Sequence, residues 1–222
     1  MELESRVRQA VARLRQGQLE GGASPQEFWV PVAVSARHIH LSQEDVERLF
    51  GAGQTLHPIR ELLPGQYACE ETVTLVGPRG TFAGVRVLGP ARGQTQVEIS
   101  SSDGFVLGLH PPVRLSGNVE GTPGVAVVGP SGAIRLADGV IAAKRHIHIT
   151  PDEAAAWSLV DGQNVHVEVV GGERPLTLGQ VVVRVHQTYR LELHLDTDEA
   201  NAAGLKTGDL GRVPEAKPAG GG

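Results

Sequence analysis

Residues 37–46, Arg37-His38-Ile39-His40-Leu41-Ser42-Gln43-Glu44-Asp45-Val46, are echoed by residues 145–154, Arg145-His146-Ile147-His148-Ile149-Thr150-Pro151-Asp152-Glu153-Ala154, with Arg-His-Ile-His identical in both. A shorter echo follows at His194-Leu195-Asp196-Thr197-Asp198-Glu199-Ala200. In each copy a His stands two residues before Ser42, Thr150 or Asp196, and an acid stands three residues after it. That spacing is the signature of a helix N-cap with a capping-box partner. Pro151 directly follows Thr150, where the first helical position tolerates proline. Each His is therefore expected at the end of a strand, just before a short helix begins. Gly51 and Gly162 are expected to end the first two helices.

Outward from these copies the chain reads as short strands. The runs FWVPVAVSA (28–36), ETVTLVG (71–77), TFAGVRVLG (81–89), TQVEIS (95–100), GFVLGLH (104–110), GVIAAKRHIHI (139–149), NVHVEVVG (164–171), LTLGQVVVRV (176–185) and YRLELHL (189–195) are separated by turn residues. Pro78-Arg79-Gly80 and Pro130-Ser131-Gly132, each after a Val-Gly pair, read as turns with Pro at the second position and Gly at the fourth. With 29 Gly, 14 Pro and 4% aromatic residues, closed antiparallel sheets are favoured over a helical bundle. The expected fold is mainly β with short helices, an α+β chain of two small β-barrel domains related by internal duplication. A Gly-, Pro- and Asn-rich seam at 116–124 divides 30–118 from 119–213. Ahead of them, 1–20 read as an amphipathic helix with Leu3, Val7, Ala10, Val11 and Leu14 on one stripe, and 21–29 as a linker. The tail 214–222 is expected to be disordered.

Composition sets limits on function. Net charge is -5, which argues against a broad nucleic-acid face. No apolar run approaches the length of a membrane span, and no signal-peptide core is evident. A single cysteine, Cys69, excludes a disulfide framework, fits a reducing cytoplasm, and reads as a small buried apolar residue. His57, His110, His166 and His186 lack the strand-end context and read as surface or structural residues.

In a strand, residues i and i+2 share a face, so His38 with His40, and His146 with His148, can each converge on one ion. Zinc takes imidazole nitrogens at about 2.0–2.1 Å and usually four ligands. His194 occupies the equivalent strand end in the third copy, and the strand carrying Glu98 can bring a carboxylate. Arg92, in a Gly-rich turn leading to that strand, offers a planar fork of donors suited to phosphate or carboxylate. No Walker loop, dinucleotide fingerprint or nucleophile elbow is present.

The runs VPVAVSARHIHLSQEDVERLFG, GQYACEETVTLVGP, VRVLGPARGQTQVEIS, GVIAAKRHIHITPDEA and LHLDTDEANAAGL, in this order over about residues 30–212, resemble the PduL-type phosphotransacylases, the phosphate propanoyltransferases. The resemblance implies two β-barrel domains, a dinuclear zinc centre between them, and exchange of an acyl group between coenzyme A and phosphate. It implies that His38, His40 and Glu98 hold the zinc facing the CoA sulfur, that His146, His148 and His194 hold the second zinc, and that Arg92 contacts phosphate. It also implies that an N-terminal extension of this kind directs members into a bacterial microcompartment. Residues 1–20 thus read either as a docking or dimerising helix or as an encapsulation peptide that binds shell or core proteins. A homo-oligomer in the bacterial cytoplasm is expected, with no nucleic-acid or membrane partner. The competing readings are a zinc hydrolase of a thioester or phosphoester, and a non-catalytic metal-binding or shell-assembly protein.

Overall fold

The computed structural model describes residues 28–170 and 173–214. The helix expected at 1–20, most of the linker and nearly all of the tail lie outside the described residues. Fifteen strands and four helices are described, in the order β1 (Phe28–Ser35), β2 (His38–Ser42), α1 (Gln43–Phe50), β3 (Pro58–Leu63), β4 (Gln66–Val76), β5 (Thr81–Arg92), β6 (Gln96–Glu98), α2 (Ser101–Leu107), β7 (Val113–Arg114), β8 (Ala126–Val128), β9 (Ala133–Arg135), β10 (Val140–Ala143), β11 (His146–Ile149), α3 (Pro151–Ala156), β12 (Asn164–Val169), β13 (Leu176–Val185), β14 (Glu192–Asp196), α4 (Thr197–Ala203) and β15 (Leu210–Val213). The chain is mainly β with short helices, as the spacing of turn residues requires.

Contacts divide the chain into two units. A barrel unit takes the described residues up to Ala33, Arg145–His194 and those from Ala202 on, and a sheet unit takes Val34–Lys144 and Leu195–Asn201. In the barrel unit, six strands close in the order β1-β14-β11-β13-β12-β15. Closure joins the two ends of the described chain, with Phe28 opposite Val213 and Val30 opposite Gly211. The last two linker positions expected, Phe28 and Trp29, are therefore strand. The sheet unit holds nine strands, β7-β10-β6-β2-β5-β4-β8-β9 with β3 on β4. Among the described pairings, then, the barrel unit is a closed barrel and the sheet of the sheet unit is not closed.

The seam expected at 116–124 is displaced for the same long-range reason. β8 and β9 add to β4, and β10 runs parallel to β6 and β7, so the stretch after the seam stays with the strands before it. The run 104–110, read as a strand from its Phe-Val-Leu content, belongs largely to helix α2. There Ser100 and Asp103 form a reciprocal capping box, and this local hydrogen bonding overrides β-propensity. Gly162 does not end α3, which stops at Trp157, whereas Gly51 does cap α1.

The sheet unit contains its own internal echo. Strand, helix and hairpin occur twice, as β2-α1-β4-β5 and as β6-α2-β8-β9. Each hairpin turn seals the helix of the other copy: Arg79 N donates to Leu107 O at 3.0 Å, and Ser131 N donates to Leu49 O at 2.9 Å. These bonds satisfy carbonyls that a helix end leaves without partners. The approach requires glycine, since a Cβ on Gly129 would stand 2.4 Å from Leu49 O and one on Gly77 would stand 2.3 Å from Leu107 O. Gly129→Ala is therefore expected to cost roughly 3 kcal/mol through overpacking and the lost bond. In thermal unfolding followed by circular dichroism the midpoint should fall by about 10 °C. Gly93→Ala, which meets nothing within 4 Å, should leave the midpoint in place.

The central strands carry two different faces. In β2, Ile39 and Leu41 are fully buried in the apolar core with Val46, Leu49, Val87, Val97 and Val127, which leaves His38 and His40 on the opposite face. In β11, Ile147 and Ile149 are likewise fully buried and alternate with His146 and His148. The period of two that keeps the isoleucines in the core thus fixes which way the imidazoles point.

Candidate metal centres

Each His pair lies on a strand that runs antiparallel to a partner with the same N-cap grammar. In the barrel unit, His146 lies opposite His194 and His148 opposite Glu192. In the sheet unit, His38 lies opposite Glu98 and His40 opposite Gln96. All the expected caps form: Ser42 Oγ accepts from Asp45 N, Thr150 Oγ1 from Glu153 N, and Asp196 Oδ1 from Glu199 N. A fourth copy completes the set, with Glu98 two residues before the Ser100 cap and Asp103 three residues after it. Each centre is thus built from two copies, and Glu98 takes the place that histidine holds in the other three.

The structure brings together His38, His40 and Glu98, and separately His146, His148 and His194, with the ligand atoms of each trio within 4.8 Å of one another. Each trio lies within one unit. His38 Nε2 is 3.5 Å from Glu98 Oε2, and His40 Nε2 is 4.0 Å from Glu98 Oε1. These separations are too long for good hydrogen bonds. They are close to the spacing of ligands sharing one tetrahedral ion, about 3.3 Å for bonds of the zinc length. His38 Nδ1 lies 2.8 Å from the Ala36 carbonyl. Donation there leaves Nε2 with its lone pair toward the trio, the outer hydrogen bond that orients a metal-ligating imidazole. In the second trio both nitrogens of His148 are buried without a hydrogen-bond partner among the described residues, a costly state for polar atoms unless a cation takes one of them. The donor atoms therefore fit a borderline divalent ion such as zinc. The first trio includes a carboxylate among its ligand atoms, and beside the second Glu192 Oε2 lies 3.6 Å from His194 Nε2.

Electrostatics favours neutral imidazoles, the form that can ligate. Burial lowers His40 to about 2, with His38 and Arg92 adding to the shift. Burial also holds His148 well below the ordinary range, helped by His194 and His146. In the metal-free protein both groups bind protons more weakly than in the unfolded chain, where histidine titrates near 6.5. Their contribution to stability is then complete above about pH 6.5 and is lost as pH falls, by roughly 1 kcal/mol per pH unit for each. The metal-free protein should melt at a clearly lower temperature at pH 5 than at pH 7.5. Outside the trios, His57 is exposed and raised by its hydrogen bond with Glu71, so its stabilisation works in the opposite sense, present at low pH and lost as pH rises.

Arg92 ends β5, where its backbone lies opposite Ser42. Its Nη1 donates to Ser116 Oγ at 3.3 Å. Gln96 Nε2 donates to the same oxygen at 2.9 Å and to Glu98 Oε1 at 2.6 Å, while Gln96 Oε1 accepts from Gly117 N at 2.7 Å. A continuous polar chain thus runs from Arg92 through Ser116 and Gln96 to Glu98. The sequence reading missed Gln96 and Ser116. The signal for Gln96 was its place two residues before Glu98, which answers to His38 in the other copy. Arg92 also borders a cavity of about 690 Å³ with Arg48, Arg135, Gln43, Thr95 and Asp138 in its wall.

The remaining histidines and the cysteine behave as expected. His110, His166 and His186 are exposed. Cys69 is buried and its thiol is pushed up to about 11 by burial, which keeps it protonated and inert at neutral pH.

The family model of phosphate propanoyltransferase matches residues 31–206, a span that includes both trios and Arg92. A phosphate propanoyltransferase of Thermotoga maritima is 55% identical over 185 residues, 83% of this chain and 88% of its own length. One of Rhodopseudomonas palustris is 48% identical over 196 residues, 88% of this chain and 86% of its own. One of Salmonella typhimurium is 47% identical over 206 residues, 91% of each chain. The chain belongs to the phosphate propanoyltransferase family. It is accordingly an enzyme of the acyltransferase class. No helix among the described residues is long and apolar enough to cross a membrane.

Proposed function

We propose that the protein is a zinc-dependent phosphate acyltransferase that interconverts acyl-CoA (propanoyl-CoA or acetyl-CoA) plus phosphate with acyl phosphate plus CoA. The observation that carries the zinc reading is the pair of trios, each made of buried ligand atoms on strand ends fixed by N-caps. His38, His40 and Glu98 would hold one ion, and His146, His148 and His194 the other. When bound, the ions supply Lewis acidity to a thioester carbonyl and a soft partner for a thiolate.

Arg92 grips phosphate through its guanidinium fork, aimed by its hydrogen bond to Ser116. Fixing the dianion beside the thioester turns a bimolecular encounter into a positioned attack. A phosphate oxygen bonds to the carbonyl carbon, the carbon–sulfur bond breaks, and the proton carried by hydrogen phosphate ends on the sulfur of CoA. The reaction therefore runs in both directions without a net proton. Direct transfer is favoured over an acyl-enzyme, because Cys69 is buried and held protonated.

The test is thiol release from propanoyl-CoA and acetyl-CoA with and without phosphate. Release that requires phosphate and yields acyl phosphate supports the transferase. Release at the same rate without phosphate makes the enzyme a hydrolase, and no release by zinc-loaded protein removes the catalytic reading. Residues 1–20 are further proposed to be an encapsulation peptide for a bacterial microcompartment in the cytoplasm. Fused to a fluorescent protein, they should give punctate signal in cells with compartments, and diffuse signal would contradict the assignment.

A further inference from the structure

The rings two residues before their caps, His40 and His148, each have a buried Nδ1 with no hydrogen-bond partner among the described residues, but the two are packed differently. His38 has an outer hydrogen bond to a backbone carbonyl, the usual device that fixes a ligating ring. His148 has none among the described residues, and both its nitrogens are shut away from solvent. Its ring orientation has to be set by packing. Tyr189 supplies that packing: its ring stacks on His148 with centroids 3.8 Å apart and planes 19° from parallel. Among the described residues no comparable aromatic partner stands on His40, whose ring contact is edge-on with His38 at 5.1 Å.

Tyr189 is itself anchored. It lies in the turn between β13 and β14, where its N–H donates to His186 O at 3.1 Å, and His186 N donates to Ile149 O at 3.0 Å. The turn is thereby tied to the end of β11, the strand that carries His148. The Arg184 guanidinium lies 5.9 Å from the Tyr189 ring centroid, and Arg184 is the cross-strand neighbour of His148. Both His148 and Arg184 thus lie within reach of the Tyr189 ring, His148 in a close stack and Arg184 at cation–π range.

We propose that Tyr189 is the positioning residue of the His146–His148–His194 centre, with its ring face, not its hydroxyl, holding the His148 imidazole in its ligating orientation. The role rests on the proposed metal occupancy of that trio. Loss of the ring is expected to weaken the metal at this centre by roughly 10- to 100-fold, as loss of an outer-shell partner does elsewhere.

The experiment loads the full chain with Co²⁺ and records its visible d–d bands, with zinc affinity measured by competition against a chelating dye. Bands absent from His146→Ala belong to this centre. Tyr189→Phe should keep those bands and the zinc affinity. Tyr189→Leu and Tyr189→Gln should shift and weaken the bands and lower affinity 10- to 100-fold, while the metal-free proteins melt with the wild type. Unchanged bands and affinity in either folded non-aromatic variant would overturn the proposal, and so would a loss in Tyr189→Phe equal to that in Tyr189→Leu. Wild-type protein whose metal content and spectrum match those of His146→Ala would instead overturn the occupancy of the trio itself.

Discussion

On the proposed metal reading, replacing His40 or His148 with alanine is expected to lower kcat/KM for phosphate-dependent thiol release by roughly 10³-fold, because polarisation of a carbonyl by a metal would take several kcal/mol off the barrier. Each change removes one of three ligand atoms from a trio built within 4.8 Å. His40 and His148 are both buried, so water cannot readily replace the lost nitrogen. The effect should appear in kcat, with the metal-free proteins still folded by circular dichroism. Removal of a buried imidazole that prefers the neutral state spares the fold a proton penalty at low pH, so the metal-free variants should also resist acid better than the parent. Activity within threefold of wild type in either variant would remove that trio from the chemistry.

Arg92→Ala should reduce kcat/KM for phosphate by about 10²-fold, the equivalent of about 3 kcal/mol for a charge-assisted, two-pronged contact. Most of the loss should fall on the KM for phosphate, with the KM for acyl-CoA nearly unchanged. Arg92→Lys should recover only part of it, since an ammonium keeps the charge but not the planar fork. The Ser116 hydroxyl accepts from both Arg92 and Gln96, and Gln96 also donates to Glu98. Arg92→Ala therefore reaches Glu98 only through Ser116 and Gln96, and metal content should stay at the wild-type level. A selective rise in the KM for acyl-CoA would reassign Arg92 away from phosphate.

Much of this site was legible because its determinants are local. A His two residues before a capping residue, with an acid three residues beyond, specifies strand end, cap and helix start within eight positions. The alternation of Ile39 with His38 and His40 specifies which face is apolar. Glu98 was visible as a carboxylate on a neighbouring strand, but its copy of the cap grammar was hidden by glutamate standing where histidine stands elsewhere. The helix at 101–107 was hidden by β-favouring Phe105, Val106 and Leu107, and only the Ser100–Asp103 box betrays it.

What the sequence hid is long-range. Closure of the barrel pairs Phe28 with Val213, and no local pattern encodes that partnership. The seam between units was misread because Gly- and Pro-rich composition marks turns as readily as boundaries. The stretch after it is held by β4, β6 and β7 through pairings far apart in sequence. Tyr189 was invisible for a similar reason: it reads as the start of the 189–195 strand but lies in the turn before β14, and neither placement announces the ring it covers. Gln96, by contrast, follows from the repeat once four copies are aligned on their caps.

The most direct test of the account is metal content per chain by elemental analysis, on the wild type and on the His40→Ala and His148→Ala variants. About two zinc ions are expected per wild-type chain and about one in each variant, with the ion retained at the untouched trio. Equal metal content in all three proteins, or none in any after zinc loading, would contradict it.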